Sequence, residues 1–137
     1  MPATTKAILN RTRGNVVCER TEIADTPLRR LRGLLGRDEL PAGEGLLLEP
    51  APSIHSAFMR FDFDAVFLDR DLQVVHLAAR IPPWRTRSAR RARSVLELAA
   101  GEIERRGVQV GDLLVIESAL PADDPGIDTP SGPDESA

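Results

Sequence analysis

Four residues able to do chemistry crowd into one short stretch of the chain: His55, Met59, Arg60 and Asp64, within SIHSAFMRFDFDAVFLD (53–69). A guanidinium beside an imidazole suits a carboxylate, a phosphate or a peptide terminus. With Asp64 orienting it, His55 could serve as the base of a small hydrolase or lyase. On a regular strand, His55 and Met59 point to the same side and could offer two ligands to a soft metal. Further ligands are missing, because His76 and Cys18 are far off in sequence, so neither a metal nor a cofactor is expected. Ser53 and Ser56 flank His55 without a nucleophile elbow around them. The plainest alternative is structural: Asp64 and Arg60 satisfy each other or backbone groups, and His55 sits in a hydrogen-bond network. Two histidines and one cysteine assemble no complete catalytic set. No catalytic residue is therefore assigned. The preferred reading is a non-catalytic ligand-binding or accessory domain with a polar site around His55, Met59, Arg60 and Asp64.

A second concentration of chemistry lies at ARIPPWRTRSARRARS (79–94), with Arg80, Arg85, Arg87, Arg90, Arg91 and Arg93, the only tryptophan (Trp84) and no acid. Pro82-Pro83 make it an exposed, partly extended loop. Arginines with an aromatic among them can hold nucleic-acid phosphates and stack on bases. The expected partners are thus a small anionic ligand or peptide, and polyanions bound weakly. A solvated loop is the competing reading, since the domain as a whole lacks the strongly basic balance of a nucleic-acid binder.

The elements that must position these groups are short. Lys6–Leu9, Val16–Ile23, Leu46–Leu48, Ala65–Leu68, Leu72–Ala78, Ser94–Leu98 and Leu113–Glu117 read as strands. Asp69-Arg70-Asp71 reads as a hairpin turn. Thr26-Pro27 opens one short helix that Gly36 can stop, and Ala99–Arg106 forms a second that ends at Gly107. Phe58 and Phe61 have opposite strand parity, and a bulge near Met59-Arg60 would reconcile them. The core is expected to hold Phe58, Phe61, Phe63, Phe67, Val66, Leu68, Leu96 and Leu98. Cys18 reads as a small core residue.

Composition bounds the rest. The 137 residues carry a net charge of −3, but five of the 21 acids lie in 121–137 and all 18 basic residues precede them. That Pro/Gly/Ser/Asp-rich tail is expected to be disordered, and its acids could compete for the arginine loop. Residues 1–120 are expected to form one domain. One cysteine excludes an intrachain disulfide. No apolar run suits a membrane span or an export leader, so a cytoplasmic location without membrane contact is expected.

The blocks GLLGR (33–37), GEGLLL (43–48), HSAFMRFDFDAVFLD (55–69), VLELAAG (95–101) and GVQVGD (107–112), in this order and spacing, resemble the family known as domain of unknown function 192. The resemblance runs from about Lys6 to Glu117. It implies a mainly β fold: a compact antiparallel β-sandwich or distorted β-barrel with two short helices. It implies no activity. Relatives often carry an export or lipoprotein signal, which leaves the compartment open.

Overall fold

The computed structural model describes residues 5–26, 38–51, 53–55 and 60–118. Among the described residues, nine strands form two sheets. The larger has seven strands in the order β6-β5-β8-β3-β2-β1-β9, comprising β1 (Thr5–Asn10), β2 (Asn15–Ala24), β3 (Glu44–Leu48), β5 (Phe63–Leu68), β6 (Val74–Ile81), β8 (Ser94–Ala99) and β9 (Leu114–Ser118). The smaller pairs β4 (Ser53–His55) with β7 (Thr86–Ser88).

The central strands explain themselves. β5 (FDAVFL) and β8 (SVLELA) combine aromatic and β-branched residues that suit a pleated surface buried on both sides, and every residue of β5 is buried. Alternate side chains feed opposite faces. Phe63, Ala65, Phe67, Leu46, Leu48 and Val95 pack in one cluster with Ile54 of β4. Val66, Leu68, Leu47, Leu96 and Leu98 pack in the other with Ile103 and Leu114. Burying each large apolar side chain stabilises the fold by about 1.5–3 kcal/mol. Six of the expected core residues are in these clusters; Phe61 packs partly buried against the first, and Phe58 lies outside the described residues. Cys18 is fully buried.

One glycine is required for packing. A Cβ at Gly45 would stand 2.9 Å from Cys18 Sγ and 2.9 Å from the carbonyl oxygen of Glu97, so β3 can nest between β2 and β8 only without a side chain there.

Two features differ from the antiparallel sandwich or barrel. β2 and β3 pair in parallel, which the long connection between Ala24 and Glu44 permits, because parallel neighbours need a crossover of a dozen or more residues. Nor does the sheet close. Among the described residues, its edge strands meet at the bridge Gln73↔Leu113, flanked by Val74 N–H to Asp112 O (2.8 Å), Gly111 N–H to Val74 O (2.8 Å) and Leu114 N–H to Leu72 O (3.0 Å). Being antiparallel at that bridge, β9 runs away from β6 thereafter. At the other end of β9, Ser118 pairs with Lys6.

A single helix, α1 (Glu102–Arg106), is present among the described residues, shorter than the expected 99–106. Gly101 and Gly107 bracket it with φ of 93° and 70°, left-handed conformations that glycine adopts without strain. The helix expected from Thr26 and the tail after residue 120 lie outside the described residues. No helix among the described residues is long and apolar enough to cross a membrane.

Candidate functional site

Asp64 sits at a β-bulge. Phe63 pairs with Ile81 and Ala65 with Ala78, so Asp64 alone faces Ala79 and Arg80 on β6, and the extra residue is left outside the ladder. Arg80 takes φ 51° there, and its backbone N–H donates to Asp64 Oδ1 at 2.8 Å. The other oxygen, Oδ2, accepts from the N–H groups of Gly101 (3.1 Å) and Ile103 (2.9 Å). Gly101 is the N-cap of α1 and has no side chain to cap with. Asp64 supplies the missing acceptor from another strand. Fully buried, this carboxylate holds the β6 bulge and the β8–α1 turn together.

Arg60 is elsewhere. Its Nη1 lies 2.7 Å from Asp38 Oδ1, with both side chains largely exposed, an arrangement worth about 0–1 kcal/mol. No hydrogen bond or ion pair joins Arg60 to Asp64 among the described residues. The backbone of His55 lies in β4 opposite Thr86. Met59 and the expected bulge next to it fall outside the described residues.

The arginine segment is more ordered than a loop. β7 pairs Ser53↔Ser88, Ile54↔Arg87 and His55↔Thr86. Ile54 is buried in the core, so the ribbon is pinned to the body of the domain. Arg85, Arg90, Arg91 and Arg93 are exposed. Arg85 and Arg87 donate to the neighbouring carbonyls of Trp84 and Thr86. Among the described residues, no carboxylate pairs with Arg87, Arg90, Arg91 or Arg93. A groove of about 550 Å³ opens between β6 and the β7–β8 connection, lined by Val75, His76, Ser88, Ala89, Arg90 and Arg91. The His76 ring stands 5.4 Å from that of Phe67, tilted by 52°, which seats an exposed imidazole on a buried aromatic.

Backbone strain is concentrated in the same segment. Non-glycine residues with positive φ among the described residues are Leu72, Arg80, Trp84 and Arg91. Each such conformation costs on the order of 1–3 kcal/mol and persists where the surroundings enforce it. Leu72 closes the β5–β6 turn, donating to Asp69 O at 3.0 Å. Arg80 forms the bulge.

Three polar sites escaped the sequence reading. Glu97 is buried on the sheet face shared by its cross-strand neighbours Leu46 and Ala65. A carboxylate inside the apolar run VLELA was the available signal. Asp112 Oδ2 accepts from Asn10 Nδ2 (2.8 Å), Arg13 Nε (2.8 Å) and the Gln109 N–H (2.9 Å). Burial alone would raise its pKa, but these donors overcome it and hold the group below its ordinary value. Arg106 bridges Glu19 and Glu102, with contacts of 2.8 Å to each. Hydrogen bonding from Arg106 lowers Glu19. Glu102, pushed up by burial, is lowered overall by Arg105 and Arg106. These are partners far apart in sequence, tying the β1–β2 hairpin to α1 and the loop after it. Among the described residues no three metal-ligating side chains cluster.

The chain is similar to known proteins in sequence and in fold. The family described as DUF192, Uncharacterized ACR, matches residues 8–116. A UPF0127 protein of Thermococcus sibiricus is 33% identical over 110 residues, covering 77% of this chain and 71% of that one. A solved structure of a protein of unknown function from Novosphingobium aromaticivorans is similar with a TM-score of 0.72 and 26% identity, covering 80% of this chain and 83% of that one. A Sinorhizobium meliloti structure, described as a candidate transcription regulator, has a TM-score of 0.72 at 23% identity, covers 85% of this chain and 97% of its own, and shows the fold alone.

Proposed function

The chain belongs to the DUF192 family, and we propose that it is a non-catalytic domain that binds anionic ligands through its arginine-rich side. The observation that carries this reading is the groove beside β7. Arg90 and Arg91 stand exposed at its edge with His76 and Ser88 in the same lining, and no carboxylate among the described residues neutralises either guanidinium. A planar guanidinium fork matches phosphate and carboxylate oxygens, and a hydroxyl and an imidazole add donors of adjustable direction.

The sheet supports the reading by its stiffness. β7 is clamped to β4, whose Ile54 is anchored in the core, so the backbone that leads into Arg90 and Arg91 is ordered before a ligand arrives, which lowers the ordering cost. The competing hydrolase reading would require Asp64 to orient His55. Its two oxygens are taken by three backbone donors inside the fold, which favours binding over catalysis. This reading assigns anion contact to Arg87–Arg93 and His76 and leaves out Arg60, whose guanidinium engages Asp38.

Titration of the purified chain with heparin at about 50 mM salt tests the proposal. Binding is expected to weaken steeply as salt rises, because released counterions drive it. Replacing Arg87, Arg90 and Arg91 together by Glu should abolish binding while leaving the circular dichroism unchanged. Equal heparin affinity in that variant would refute the proposal.

A further inference from the structure

The anion-binding reading leaves Trp84 unexplained. It is the only tryptophan of the chain and, at 60% exposure, one of two large apolar side chains displayed to solvent among the described residues. Its backbone adopts φ 66°, a conformation that a bulky residue adopts only where its surroundings enforce it. The left-handed residues Leu72 and Arg80 have structural tasks, one in a turn and one in the bulge that holds Asp64. Trp84 and Arg91 flank β7, two residues before it and three after it. Arg91 lies within the turn that Ala92 N–H closes onto Ala89 O at 3.3 Å.

Between those points Thr86–Ser88 is extended, and the turn at Ala89–Ala92 follows. The eight residues from Trp84 to Arg91 span at most about 23 Å, seven steps of ~3.3 Å, and they carry Arg85, Arg87, Arg90 and Arg91 without an acid. β4 pairing keeps the middle of this span straight. The product is an aromatic face at one end and a row of guanidiniums leading away from it.

Resting on the anion-binding reading, we infer that the Trp84–Arg91 edge binds single-stranded nucleic acid, with Trp84 stacking on an unpaired base and the arginines following the phosphates. A sulfated or phosphorylated chain without bases would engage the cations and have no use for an exposed indole. A duplex keeps its base faces stacked inside, whereas a single strand can offer one to an aromatic ring. Stacking is tolerant of sequence, because every base has a π face.

The test uses the intact chain at about 50 mM salt, with an oligothymidylate, a duplex of equal length, and heparin. Trp84 is the sole tryptophan and the chain lacks tyrosine, so its fluorescence reports this residue alone. The oligothymidylate is expected to quench it. In the Trp84→Ala variant, affinity for a labelled oligothymidylate, read by anisotropy, should fall by roughly 5- to 150-fold, the range one base–aromatic stack supplies. Trp84→Phe should recover most of that loss. Heparin affinity should stay within about twofold in both variants, and the duplex should bind more weakly than the single strand. If heparin binds but the oligothymidylate leaves the fluorescence unchanged, or binds Trp84→Ala as tightly as the parent, the nucleic-acid inference is wrong and the anion-binding reading stands. If neither polyanion binds, both are wrong.

Discussion

The carboxylate of Asp64 accepts the backbone N–H of Ile103 at 2.9 Å, so a side chain near the start of β5 caps the first turn of α1 across 39 residues of sequence. The same group accepts from Gly101 and Arg80. One aspartate thus joins β5 to the β6 bulge and to the turn before α1.

Asp64→Asn is expected to destabilise the fold by roughly 2–4 kcal/mol, because an amide NH₂ replaces one charged acceptor and faces backbone donors. Urea unfolding of the two proteins checks this. An unchanged midpoint would show that the three bonds contribute nothing beyond what water provides in the unfolded chain.

Gly45→Ala should cost about 1–3 kcal/mol through overpacking. The new methyl meets the Glu97 carbonyl oxygen, which is backbone and cannot rotate away, at 2.9 Å. Thermal unfolding reads the effect. Gly14→Ala is a useful control: space around Gly14 is open, so only the conformational penalty of its φ of 75° should register.

Stability is expected to fall in acid, and Asp112 to contribute. Its folded pKa is held below the ordinary aspartate value, with the donors Arg13, Asn10 and Gln109 outweighing the upward push of burial. The unfolded chain therefore binds protons first as pH drops. The stabilisation is complete above about pH 5, where an ordinary aspartate is almost fully ionised, and is lost as pH falls through the folded value. Glu19 and Glu102, lowered in the same direction, add to the slope. Asp112→Asn should be less stable at pH 7 and should lose less stability between about pH 5 and pH 3 than the parent. Parallel pH profiles in the two proteins would remove Asp112 from the account.

Cys18 should be inert in the native protein. Burial raises its thiol pKa, and the side chain is fully enclosed, so both thiolate fraction and access are low. One equivalent of a thiol reagent should react slowly at pH 8 and rapidly in denaturant. Equal rates would mean that β2 opens readily.

The strands were legible from the sequence because their signals are local. Phe63, Phe67, Val66 and Leu68 alternate between faces as the period-two pattern requires, and Asp69 begins the turn where the polar triplet stands. What escaped were pairings between distant residues. Nothing near Asp64 announces Gly101 or Ile103, and nothing near Arg13 announces Asp112. Thr86–Ser88 carries no hydrophobic period that would mark a strand; its strand character comes from pairing with β4. Asp64 turns inward while Arg60 meets Asp38, so these two residues, close in sequence, take different partners.

The pairing of Lys6 with Ser118 has a mechanical meaning. Both ends of the folded body leave from the same end of one antiparallel ladder, β1 against β9. A pull applied through the two ends would strip that ladder one rung at a time, never loading its bonds together as shear does. Joined instead by a short linker, the two ends would turn the domain into a closed ring, and a new opening at the exposed Asp69–Asp71 turn would leave every strand uncut.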